Sequence, residues 1–136
     1  MAAEEGQEQE EYKVLAEQYK DEGNAEFQKG TFDAIKKSIE LYTRAIEMDP
    51  GILLICSCFL TIFLLRCSNN ENKFTDNKVY YSNRSAAYLK SDSKSKALWD
   101  AQKCVELAPD WVKGYSRLGA AQQSLKRCIF LSCIHF

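Results

Sequence analysis

The sequence predicts an all-α solenoid of two and a half helix–turn–helix repeats, and three observations carry that prediction. A motif returns at a fixed interval, apolar residues between its occurrences keep helical spacing, and prolines punctuate the chain at matching places. The motif is "YSNRSAAY" at 81–88, which returns as "YSRLGAAQ" at 115–122. Tyr81, Ser82, Ala86 and Ala87 reappear as Tyr115, Ser116, Ala120 and Ala121, each 34 residues on. Small residues at such positions let paired helices approach closely.

The helix ends agree with this period once one segment is set aside. "AIEMDP" (45–50) and "CVELAP" (104–109) close in Pro50 and Pro109. Proline cannot continue a helix, so each marks the exit of a repeat's second helix. The two prolines lie 59 residues apart, and removing the 25 residues Gly51–Thr75 restores 34 and joins "MDP" to "DNKVYYSNRS". A period of 34 is that of tetratricopeptide-type repeats, which makes this segment an insertion between repeats. Within repeat one, Gly23 to Pro50 spans 27 residues against 24 from Ser85 to Pro109. Three extra residues are therefore expected at or just after the turn near "GTFDAIKKS", as a lengthened turn or about one extra helical turn.

The elements follow in order. Residues 1–11, "MAAEEGQEQEE", are acidic without an apolar run and read as a disordered arm. Repeat one occupies 12–50, with helices over about Tyr12–Lys29 and Phe32–Met48; the second has Ile35, Ile39, Tyr42, Ala45 and Ile46 at helical spacing. The insertion is 51–75. Repeat two occupies 76–109, with helices over about Lys78–Lys90 and Ser95–Leu107. The first helix of repeat three occupies 110–127, from Asp110 to Arg127, and 128–136 form an atypical tail. The second helix of repeat three and a capping helix are missing, although solenoids of this kind need about three repeats and a polar cap.

The insertion opens with fifteen uncharged residues, Gly51–Leu65. A spanning helix needs about 20 apolar residues, and this run includes Cys56, Ser57, Cys58 and Thr61, so a membrane span is not expected. Its large side chains, such as Leu53, Phe59 and Phe63, would each forgo roughly 1.5–3 kcal/mol if left in water. They must bury, self-associate or meet lipid, and the run is an aggregation hazard. This segment and the terminal "CIFLSCIHF" are both rich in Cys, Ile and Phe and both interrupt a strict repeat. They read as translated non-coding sequence.

Composition removes several classes of function. Eighteen basic against 19 acidic side chains leave a net charge of −1, without the basic excess of a nucleic-acid binder. The N-terminus has neither a signal peptide nor an Arg-rich transit pattern, which points to the cytosol. Six cysteines form no C-x-x-C pair, and the one histidine is His135, so free thiols are expected rather than a metal site or disulfides. Neither a Gly-rich phosphate loop nor a nucleophile with a base is present, so no catalysis and no cofactor are expected.

The chemistry that remains lies on the first helix of each repeat, which together line one groove. Lys20 and Asn24, four apart, share a face, as do Lys113 and Arg117. Asn83 holds the same repeat position as Arg117 and sits between the two pairs. Three cations and two amides converging on a groove suit two carboxylates held side by side: Arg grips one as a fork and Lys adds point charge. A peptide ending in Asp offers such a pair. Helix-surface charges are usually just solvated. Two asparagines on an inner face, where Ala or Leu would favour the helix more, weigh against that.

"KDEGNAEF", "YYSNRSAAYLK" and "DWVKGYSRLGAA" resemble the first repeat domain of the heat-shock chaperone organising proteins and related carboxylate-clamp co-chaperones. The family's clamp is Lys and Asn of K-x-x-G-N, Asn of S-N-R-S, and Lys and Arg of K-G-Y-x-R. These fall on Lys20, Asn24, Asn83, Lys113 and Arg117 without substitution. The resemblance covers about 90 residues. It implies a non-catalytic adaptor that binds the C-terminal Glu-Glu-Val-Asp of heat-shock chaperones, with Phe27 and Ala86 packing on the peptide's apolar side chain. Clamp repeats also occur fused to phosphatase or prolyl-isomerase domains, so a fragment of such an enzyme is the second reading. A membrane-associated chaperone receptor is the third.

Overall fold

The computed structural model describes residues 2–48 and 77–134, and among them the backbone forms five helices and no strand. They are α1 (Ala2–Lys29), α2 (Phe32–Glu47), α3 (Asn77–Lys90), α4 (Lys94–Leu107) and α5 (Val112–Ile134). Among the described residues each helix packs against the next described one, and α3 also packs on α5 and touches α1. This is the stacking of a tetratricopeptide-repeat solenoid, with α1, α3 and α5 as the first helices of successive repeats. The expected insertion at 51–75 lies outside the described residues.

Local chemistry explains the helix ends. Gly30 follows the last residue of α1 at φ +71°, a left-handed conformation that glycine adopts without a Cβ clash. Thr31 then caps α2, its Oγ1 accepting the Ala34 N–H at 3.3 Å. The turn between α3 and α4 uses a different residue for the same purpose. Asp92 sits at φ 61°, the Ser93 N–H donates to the Tyr88 carbonyl at 2.9 Å, and the Asp92 N–H to Leu89 at 3.3 Å. That pair of bonds closes the carbonyls left open at a helix end.

Two expectations change and a third is narrowed. Residues 2–11 are helical and continue α1 rather than forming a disordered arm. Ala, Glu and Gln are strong helix formers, acidic residues suit a helix N-terminus, and an existing helix extends without a new nucleus. At the other end α5 runs through Arg127 to Ile134, into the expected tail. No Gly or Pro stands between Gln122 and Ile134 to stop it. The extra length of repeat one takes the second of its two expected forms, added helix rather than a lengthened turn. The turn before α2 has two residues, Gly30 and Thr31, against three, Ser91–Ser93, before α4. By contrast α2 has 16 residues against 14 in α4, so the surplus is taken up in helix, about half a turn of it in α2.

The core is built largely from small side chains. Ala16, Ala45, Ile46 and Tyr80 form one cluster; Ile35, Tyr42 and Ala87 form a second, with Phe27 and Ile39 packed on it. Gly23 allows the closest approach: a Cβ there would lie 2.7 Å from Tyr42 Cε1 and 2.9 Å from Cδ1. A buried ion pair ties the repeats together. Arg84 on α3 grips Asp100 on α4 through two bonds of 2.8 Å, and its third nitrogen reaches Thr43 Oγ1 on α2 at 3.1 Å. The guanidinium also lies 5.4 Å from the Tyr81 ring and 5.9 Å from that of Tyr88. Burial pushes the Asp100 carboxyl up, and the Arg84 fork opposes that push.

Cys104 is a buried free thiol that donates to the Lys78 carbonyl at 3.3 Å. No group of three metal-ligating side chains occurs among the described residues, and none of their helices is long and apolar enough to cross a membrane.

Candidate carboxylate-binding groove

Asn24 and Asn83 meet. Asn24 Oδ1 accepts the Tyr42 hydroxyl at 2.8 Å and the Asn83 side-chain amide at 3.2 Å. Gly23, next to Asn24, makes this possible, because only a residue without a Cβ lets Tyr42 come so close to α1. Tyr42 is itself 1% exposed. Burial pushes its phenol up to about 12, while the nearby Arg117 charge acts in the opposite direction. Arg117 on α5 is thus within electrostatic reach of the residue that holds Asn24.

Lys20, one turn before Asn24 on α1, is paired with Glu17 through a hydrogen bond to Oε2, and Asp21 Oδ1 lies 3.5 Å away. The Glu17 bond raises the Lys20 ammonium above its ordinary value despite burial that opposes it, and Asp21 adds to the rise. Glu17 is held on its other oxygen by the Tyr80 hydroxyl at 2.9 Å. Burial pushes the Glu17 carboxyl up, but the bonds from Lys20 and Tyr80 outweigh that and keep it below its ordinary value.

Lys113 lies exposed in the first turn of α5, one turn before the half-buried Arg117, and has no hydrogen bond or ion pair with another described residue. Phe27 is half-buried on the second core cluster, with the Lys90 ammonium 3.8 Å above its ring. Ala86, on α3, is buried. The structure thus joins Asn24 to Asn83 directly, and the Arg117 charge acts on the Tyr42 phenol that holds Asn24. The fold turns Lys20 toward Glu17 and leaves Lys113 on the exposed face of α5.

Three residues at this site had no sequence signal of their own. Tyr42 stands in the sequence only as a core position of its helix, and nothing in the pattern singles out Glu17 or Tyr80. Gly23 was the one available hint, since glycine inside a helix marks a close approach.

The fold is that of a tetratricopeptide-repeat domain, and the first helices of its repeats carry Lys20, Asn24, Asn83, Lys113 and Arg117. By sequence the chain is related to the Hsp70-Hsp90 organizing proteins. It is 40% identical over 112 residues to heat shock protein STI1 of Saccharomyces cerevisiae, covering 82% of this chain and 14% of that protein. It is 38% identical over 111 residues to the Hsp70-Hsp90 organizing protein of Triticum aestivum, covering 82% and 14%. Mouse serine/threonine-protein phosphatase 5 is 30% identical over 110 residues, covering 81% and 16%. The chain therefore spans about one seventh of the length of these relatives. No protein-family model matches it.

Proposed function

We propose that this chain is a non-catalytic co-chaperone adaptor module that captures the C-terminal Glu-Glu-Val-Asp of heat-shock chaperones in the cytoplasm. The observation that carries the reading is the Asn24–Asn83 junction, a pair of amides from two repeats buttressed by a buried tyrosine. Lys20, Lys113 and Arg117 supply the charge. Asn83 and Asn24 amides and the Arg117 guanidinium donate to the terminal carboxylate and the Asp side chain, and the lysines add point charge. Half-buried Phe27, about one helical turn beyond Asn24, offers apolar surface suited to the valine, with Ala86 buried one turn beyond Asn83. The names of the relatives, heat shock protein STI1 and Hsp70-Hsp90 organizing protein, support chaperones as the partners.

The likeness to phosphatase 5 favours a second reading, in which the same groove is the docking segment of a larger enzyme. Both readings share one test. Fluorescence anisotropy of a labelled peptide ending Glu-Glu-Val-Asp is titrated with the chain, with the C-terminally amidated peptide as control. Saturable binding that amidation abolishes and salt weakens is the expected result. Equal binding of both peptides, or of neither, rejects a carboxylate clamp.

A further inference from the structure

The Lys20 ammonium is already engaged by an internal carboxylate. Glu17 and Lys20 are three residues apart on α1 and share a face. Side chains on a helix lean toward its N-terminus, so Lys20 reaches back over Glu17, while Asn24 and Asn83 meet on its other side. An ordinary surface Glu–Lys pair would exchange freely with solvent. This one has an anchor. Tyr80 on α3 is 1% exposed, and its hydroxyl donates to the second Glu17 oxygen at 2.9 Å. Glu17 is therefore held at both ends, by a clamp cation and by a buried phenol 63 residues away. Its side chain remains 41% exposed, which leaves it room to move aside.

We infer that Glu17 is a tethered internal carboxylate that occupies the Lys20 end of the groove in the unliganded chain and must be displaced by an incoming peptide carboxylate. The inference rests on the clamp reading of the groove. Two carboxylates on one ammonium repel each other, so Glu17 weakens capture of any acidic end. It thereby sets a threshold: a ligand with two carboxylates, gripped also by Arg117 and the amides, can meet it, whereas a singly charged end cannot. Glu17 is thus a specificity-determining residue, and Tyr80 is the positioning residue behind it.

The test is anisotropy of the Glu-Glu-Val-Asp peptide at low salt against the full chain and three variants, with circular dichroism to check folding. Glu17→Gln removes the internal charge and is expected to tighten binding about three- to tenfold. Tyr80→Phe leaves the charge but releases it, and a smaller tightening is expected, so the two variants check each other if either folds poorly. Glu106→Gln removes the same charge from an exposed pair with Lys103 and is expected to leave affinity unchanged. Tighter binding by Glu17→Gln than by wild type, including binding where wild type shows none, supports the inference. Equal or weaker binding by Glu17→Gln with wild type still binding overturns it and leaves the clamp standing, as does an equal gain from Glu106→Gln. Absence of binding by wild type and all variants overturns the clamp reading and this inference together.

Discussion

Asn83 on α3 donates its side-chain amide to Asn24 Oδ1 on α1 at 3.2 Å, across 59 residues of sequence. The same oxygen accepts the Tyr42 hydroxyl, so three helices converge on one atom. A groove whose amides are set in place before a ligand arrives has less to order on binding.

Asn24→Ala is expected to lower stability by about 1–3 kcal/mol, because the buried Tyr42 hydroxyl loses its acceptor. Peptide affinity is expected to fall at least about tenfold, some 1.4 kcal/mol. Asn83→Ala should cost less stability, and the double variant should lose less than the sum. Thermal melts and anisotropy on the three variants check this; strict additivity would show that the amides act independently.

Tyr42 links stability to alkaline pH. Its phenol is pushed up to about 12 by burial, so the folded chain holds the proton where the unfolded chain, titrating near 10, releases it. The stability this contributes is fully present below pH 10 and is lost as pH rises toward 12, up to about 2–3 kcal/mol in all. Urea melts at several values from pH 8 to 12 are expected to show that loss in wild type and a flatter profile in Tyr42→Phe.

Arg84 and Asp100 are expected to be interdependent. Arg84→Met leaves the Asp100 carboxylate, 1% exposed, without its partner and should destabilise by about 3–5 kcal/mol. Replacing both, as Arg84→Met with Asp100→Leu, should recover most of the loss. Arg84→Lys should also destabilise, since a lysine cannot form the fork. Denaturant midpoints of the single and double variants decide the matter; a double variant as unstable as the first would contradict it.

Gly23→Ala sets helix propensity against packing. Alanine favours a helix by about 1 kcal/mol over glycine, yet its Cβ would meet Tyr42 Cε1 at 2.7 Å. Overpacking of this kind costs about 1–3 kcal/mol and shifts the ring that holds Asn24. A lower melting temperature is expected, together with weaker peptide binding. A variant more stable than wild type would mean that Tyr42 moves aside without strain.

Much of the fold was legible because its determinants are local. Leu41, Tyr42, Ala45 and Ile46 recur at the spacing of one helix face, and Gly30 and Thr31 carry the stop and start signals of their helices. Pro109 falls two residues beyond the end of α4. The failures are local too. The polar N-terminal stretch lacks an apolar stripe, so its helix rests on propensity and on continuation from α1. The run after Arg127 lacks a breaker, so α5 continues through it to Ile134.

By itself the sequence determined the repeat length, the all-helical class and which polar residues stand four apart on their helices, Lys20 with Asn24 and Lys113 with Arg117, because period and spacing are written along the chain. Only the tertiary structure decided which of those residues meet. Asn24 finds Tyr42 and Asn83, 18 and 59 residues away, and Lys20 turns to a glutamate held by Tyr80, 63 residues beyond that glutamate. Such contacts depend on how closely helices stack and which side chains fill the space between them. Gly23 and Tyr42 settle that spacing, through a clearance smaller than one methyl group.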